Sequence, residues 1–168
     1  MSVDCFLDTN ILVYAVSSAP ADAAKSTKAL DLVQRSDFGL SAQVLQEFYV
    51  TVTRKIYKPL APELAVALMD EYRVFPTVAT DYPLIVSAVE LSLRHGISYW
   101  DGAIIAAAEV LEAPILYTED LNHGQHYGAV RAVNPFFQAR AIARPAARPP
   151  RRRGRSSGGS APRCTRAR

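Results

Sequence analysis

Four carboxylates in this sequence stand where a catalytic centre would want them. Asp8 directly follows the apolar run of residues 3–7, and Asp120 stands three residues after Tyr117, at the end of another apolar run. Asp101 opens the nearly uncharged stretch Gly102-Ala103-Ile104-Ile105-Ala106-Ala107-Ala108, and Glu47 lies inside a segment of helical periodicity. Each has an ordinary reading when taken alone. Asp8 could close its strand as an Asx-turn, and Asp120 could be a loop carboxylate. Asp101 could answer a helix dipole, worth roughly 0.3–1 kcal/mol, although that leaves the large aromatics Tyr99 and Trp100 before it unexplained. Glu47 shares a polar face with Gln43, Thr51 and Arg54, opposite Val44, Phe48 and Val52, which describes a solvated helix side.

Together they describe something else. Carboxylates brought close raise one another's pKa unless a cation neutralises them. An all-oxygen set selects hard cations, so Mg²⁺ is implied, with Mn²⁺ as the alternative. The histidines, His95, His123 and His126, do not form a zinc signature. His123 and His126 have helix-like spacing but lie between Asn122 and Gly128 in a predicted loop, on the surface or the substrate side.

The elements that must position these acids alternate. Strands are predicted over residues 3–7, 38–40, 74–78, 115–117 and 130–133. Helices are predicted over 11–16, over 21–34 behind Pro20, and over 42–54 with Ser41 as N-cap. Further helices run from Pro62 to about Tyr72, over 82–93 with Gly96 as the stop, and over 100–111. Such alternation predicts an α/β sandwich with a mainly parallel sheet. Sheets of that kind bind ligands outside the carboxyl ends of their strands, which is where Asp8 and Asp120 fall.

Charge divides the chain. Of its nineteen basic residues, ten are arginines within residues 139–168, which contain no acid; the remaining nine face all sixteen acids, a net of −7. The Arg/Pro/Ala-rich segment 138–168 has Ile142 as its one large aliphatic residue, too little to offset the entropy of ordering, so a disordered tail is expected beyond a domain of residues 1–137. Its arginines could grip phosphate backbones or merely be solvated. If they grip RNA, removing 139–168 weakens binding and flattens its salt dependence.

Hydrophobic residues at 49% and charged residues at 21% exclude wholesale disorder, collagen and coiled coil. No apolar run approaches the ~20 residues of a membrane span, and the N-terminus does not read as a secretory signal. Cys5 and Cys164 make no disulfide framework, so a cytoplasmic location without membrane attachment is expected.

In this arrangement the sequence resembles PIN-domain ribonucleases, specifically the VapC-like toxins of bacterial toxin–antitoxin pairs. The resemblance rests on Phe6-Leu7-Asp8-Thr9-Asn10-Ile11-Leu12, on Gln46-Glu47-Phe48, on Tyr99-Trp100-Asp101-Gly102-Ala103-Ile104, and on the run from Leu116 to Gln125 that contains Thr118-Glu119-Asp120. It covers residues 3 to about 137. It implies a PIN-like three-layer sandwich in which Asp8, Glu47, Asp101 and Asp120 hold Mg²⁺, with Glu119 as a fifth ligand or water-holder. Asn10 and Thr118 would orient carboxylates or water. The implied activity is hydrolysis of RNA phosphodiesters to 5′-phosphate and 3′-hydroxyl ends. The implied partners are a second copy of the chain and a cognate antitoxin, whose C-terminal segment lies in the acidic groove. Helices 61–72 and 82–93 are apolar enough to meet a second chain, or to serve as core.

Two other readings compete. A haloacid-dehalogenase-like phosphatase also begins with a strand ending in Asp and uses Mg²⁺. Here, however, Asn10 stands where its general acid belongs, and no lysine follows Lys58 in the body. A non-catalytic RNA-binding module would exploit the arginine tail but leave four acids without a purpose.

Overall fold

The computed structural model describes residues 3–137; the expected tail and Cys164 lie outside the described residues. Three buried residues form the first strand, β1 (Cys5–Leu7), and helix α1 (Thr9–Val16) starts two positions later. A 3-10 turn over Pro20–Asp22 leads into α2 (Ala23–Val33), so the helix predicted from residue 21 starts as a tighter turn set by Pro20. Strand β2 (Phe38–Ser41) runs straight into α3 (Ala42–Arg54), whose first turn is capped by the Ser41 hydroxyl accepting from the Val44 amide. Next come α4 (Pro62–Tyr72), the two-residue β3 (Thr77–Val78), α5 (Tyr82–His95) and α6 (Tyr99–Val110). Strands β4 (Ile115–Tyr117), β5 (His126–Tyr127) and β6 (Val130–Val133) complete the described chain.

The strands form one sheet in the order β3-β2-β1-β4-β6-β5, parallel except for the β5–β6 pair. This is the expected α/β sandwich. From β1 the chain first builds outward to β2 and β3, then crosses back through α5 and α6 to lay β4 on the other side. The gap between the carboxyl ends of β1 and β4 is therefore the switch point, where neighbouring connections leave in opposite directions and open a crevice.

Phe6, Leu7, Phe38, Leu40 and Leu116 of the sheet pack in one core with Ile11, Leu12, Val44, Phe48 and Ile105 of the helices. Helix α6 is buried from Gly102 to Ala108 because its side chains are small enough to let α5 approach. A methyl group on Gly102 would collide with the Ala88 carbonyl oxygen of α5 and sit 3.2 Å from the Ser92 nitrogen.

Two elements differ from expectation. Of the predicted strand 74–78 only Thr77–Val78 pairs, since Val74 is 80% exposed and Pro76 has no N–H to donate. Residues His126–Tyr127, predicted as loop, form β5 by turning back on β6 through Gly128 at φ 62°. Among the described residues no helix is long and apolar enough to cross a membrane, and Cys5 is a free, buried thiol.

Candidate active site

The crevice at the switch point opens into a cavity of about 670 Å³ whose wall includes Asp8, Asn10, Glu47, Asp101 and Asp120. Four separate elements deliver the acids. Asp8 ends β1 and caps α1, its Oδ1 accepting from the Thr9 amide at 2.6 Å. Asp120 follows β4, where the backbone of Asp8 is tied to that strand by its amide donating to the Tyr117 carbonyl at 3.1 Å. Asp101 belongs to the first turn of α6: Ser98 caps the helix by accepting from the Asp101 amide and donates its own hydroxyl to Asp101 Oδ2 at 2.8 Å. The helix thus starts one residue earlier than predicted, and Ser98 fixes the carboxylate.

Asp8 is the deepest of the set, 4% exposed. Its Oδ2 accepts from the Thr118 hydroxyl at 2.6 Å and from Asn10 Nδ2 at 2.9 Å. The same Asn10 amide reaches Asp120 Oδ2 at 3.2 Å, so one side chain bridges the two strand-end carboxylates. Burial pushes the Asp8 carboxyl up to about 7, against the hydrogen bonds from Thr118 and Thr9, and the charges of Asp120 and Glu47 push the same way as burial. With its nitrogen turned to carboxylates, Asn10 presents Oδ1 the other way. That oxygen is buried without a partner among the described residues, which a bound cation or its water would satisfy.

Glu47 lines the cavity with Gln43 and Thr51, so this polar stripe of α3 is a cavity wall and not an open solvent face. Gln43 is buried and donates from Nε2 to Glu47 Oε1 at 2.9 Å. Arg54, grouped with that face in the sequence, is exposed and does not line the cavity.

Glu119 is not brought to the cavity wall. Its carboxylate is ion-paired with Lys25 of α2 and accepts from the Tyr14 hydroxyl. Neither partner was readable as such, because Lys25 and Tyr14 reach Glu119 only through the fold; Ser98, by contrast, was legible three residues before an acid at a helix start. His123 and His126 stand on the β5–β6 side, both exposed; His123 accepts from the Asn134 amide and stacks on Phe137.

The donor chemistry fits a hard divalent cation: oxygens only, one carboxylate buried, one amide oxygen unpartnered. As they stand, no three carboxylate, imidazole or thiol groups among the described residues close on one point.

Over residues 5–128 the sequence matches the family described as PIN domain. Similar solved structures include Mycobacterium tuberculosis VapC20, a toxin that cleaves the sarcin-ricin loop, at 20% identity and TM-score 0.57, covering 69% of this chain and 89% of that one. A toxin–antitoxin complex from Klebsiella pneumoniae is similar at 16% identity and TM-score 0.59, covering 79% and 98%. FitAB bound to a DNA fragment is similar at 20% identity and TM-score 0.58, covering 82% and 99%. At these identities the likeness is one of fold. No curated protein sequence matches the chain.

Proposed function

The chain belongs to the PIN domain family, and on that footing we propose that it is a metal-dependent endoribonuclease, the toxin of a toxin–antitoxin pair. The observation that carries this reading is that Asp8, Glu47, Asp101 and Asp120, from four separate elements of the chain, line one cavity at the switch point of the sheet. A phosphatase of the haloacid-dehalogenase kind is disfavoured by the family match, and a binding-only module leaves the acid cavity without a purpose.

Asp8, Asp101 and Asp120 would hold Mg²⁺ or Mn²⁺, with Glu47 joining directly or through water. Such an ion, when bound, acidifies water and stabilises charge on phosphoryl oxygens. The protein's own part is orientation. Thr118 and Asn10 fix the Asp8 carboxylate, Asn10 ties Asp120 to it, Ser98 fixes Asp101, and Gln43 holds Glu47. Carboxylates held this rigidly would keep such an ion, and through it the reacting phosphate, in place for in-line attack, which removes much of the entropic barrier.

Two partners belong to the same proposal. An antitoxin placing a basic side chain among the four acids would silence the site; an antitoxin partner as such is in keeping with the toxin–antitoxin complex among the similar structures. A second copy of the chain fits the apolar stripe Tyr82, Val86, Val89 and Leu93 on α5, which is exposed on one side of the helix. A cytoplasmic location completes the reading.

The test is incubation of the purified chain with labelled cellular RNA in Mg²⁺ or EDTA, beside Asp8→Asn, with end-mapping of products. Cleavage that requires the metal, leaves 5′-phosphates and vanishes in Asp8→Asn is expected. Cleavage unchanged in EDTA, or none by the wild type across transfer, ribosomal and messenger RNA, would refute it.

A further inference from the structure

Two features on the rim of the acid cavity are not used by the carboxylates. The first is Trp100, beside Asp101, which lines the cavity yet leaves 61% of its surface exposed. It is the single tryptophan of the chain. Its ring is braced edge-on against Tyr99, centroids 5.2 Å apart, and its carbonyl is within 3.5 Å of Gln43 Nε2. Among the described residues this large aromatic surface has no partner of its own size on its open side.

The second is Lys55, at the far end of the same wall. Among the described residues it is the one cation lining a cavity that carries four acids. Helix α3 presents Gln43, Glu47 and Thr51 and then Lys55 along one side, and eight residues of rise separate Glu47 from Lys55 by about 12 Å. Lys55 opens into Arg54-Lys55-Ile56-Tyr57-Lys58, which holds three of the nine basic residues that residues 1–138 possess. Tyr57, between them, is 67% exposed. In a domain of net −7 this concentration of positive charge is a local reversal, and it continues the cavity instead of standing apart from it.

We propose that the cavity is one stretch of a single-stranded RNA track: a base stacks on Trp100 beside the acid cluster, and the backbone runs along α3 so that Lys55 and its basic neighbours take phosphates a few nucleotides away. This rests on the ribonuclease reading and names how the strand lies in that site. The chemistry at the two ends is complementary to a polynucleotide. Flat aromatic surface accepts any base face, while cations pair with phosphates that the four acids repel. A single strand is required, because in a duplex the bases are stacked on one another and cannot reach an indole.

The lone tryptophan makes the test direct. The full-length chain is titrated with a short single-stranded oligoribonucleotide carrying a 5′ dye, in calcium buffer, following dye anisotropy and tryptophan emission together. Emission should quench in step with the rise in anisotropy. Trp100→Ala should weaken binding about 5- to 100-fold, and Trp100→Phe should recover most of it, which a loss of α6 geometry would not permit. Lys55→Ala should weaken binding and reduce the slope of affinity against salt by about one ion. In cleavage assays Trp100→Ala should raise KM more than it lowers kcat. Normal binding by Trp100→Ala, or binding with unchanged emission, overturns the track and leaves the nuclease reading intact. If Trp100→Ala instead abolishes self-association in sedimentation while RNA binding persists, the indole is a protein contact and the proposal falls. Absence of any RNA binding or cleavage by the wild type would remove the ribonuclease reading itself.

Discussion

The Thr118 hydroxyl donates to Asp8 Oδ2 at 2.6 Å, linking the end of β4 to the end of β1 across 110 residues of sequence. The acceptor is a carboxylate almost wholly removed from water, and this bond does more than any other to keep it charged. Thr118 is itself 1% exposed, and its Oγ also accepts from the Asp120 amide at 3.1 Å. One hydroxyl therefore sets the position of two acids.

Thr118→Val should keep the shape of the site and remove that donor. We expect metal affinity to fall about 10- to 100-fold, the usual effect of losing a partner that orients a ligand. Thr118→Ser should restore most of it. Calorimetric titration with Mn²⁺ measures both, and equal affinities for Val and Ser variants would show that the hydroxyl does not matter.

Asp8 also predicts the pH dependence of the metal-free fold. Its carboxyl is pushed up to about 7, chiefly by burial, so the folded chain keeps a proton that the unfolded chain sheds near 4. Stability from this group is complete below the unfolded value and is lost as pH rises through about 7, by at most ~1.4 kcal/mol per pH unit. The melting temperature in EDTA should therefore fall between about pH 4 and 7, and Asp8→Asn should flatten that decline. Saturating Mg²⁺ should oppose it. Parallel profiles for wild type and Asp8→Asn in EDTA would contradict the assignment.

Glu119 and Asp120 are adjacent, yet their surroundings separate them. Lys25 and Tyr14 engage Glu119, whereas Asp120 is exposed at the cavity and held by Asn10. Asp120→Asn should lower cleavage by about 100-fold or more, beyond the effect of losing an orienting partner. Glu119→Gln should lower stability by up to about 1 kcal/mol through its half-exposed ion pair, with cleavage changed only a few-fold. Equal damage to kcat from the two variants would make Glu119 a ligand.

Gly102 sets the distance between α5 and α6 and so the position of Asp101 next to it. Gly102→Ala places a methyl group against the Ala88 carbonyl, a backbone atom that cannot swing aside. Overpacking of this kind costs about 1–3 kcal/mol. Urea unfolding should show that loss, and cleavage should fall with it. Wild-type stability would mean that the helices separate without resistance.

Much of this was legible because the signals were local. Ser41, Pro62 and Gly96 mark helix ends through caps and turns that depend on a few neighbouring residues, and α3, α4 and β4 occupy the predicted positions. The acids at strand ends were readable because apolar runs stop abruptly at them. What could not be read depends on three-dimensional closure. The Gln43–Glu47–Thr51 stripe looks like any solvated helix face until α6 is packed opposite it. The engagement of Glu119 by Lys25 spans 94 residues. The hairpin β5–β6 is too short to show an alternating pattern, although Gly128 after Tyr127 was a usable turn signal.

Everything proposed for the site requires Asp8, Asp101 and Asp120 to be ligands of one divalent cation. Crystals grown with Mn²⁺ and measured at its absorption edge decide whether they are. An anomalous peak in the cavity within bonding distance of Asp8, Asp101 and Asp120, lost in Asp8→Asn, is expected. A cavity free of anomalous signal at saturating Mn²⁺, or an ion bound elsewhere and indifferent to Asp8→Asn, would contradict it.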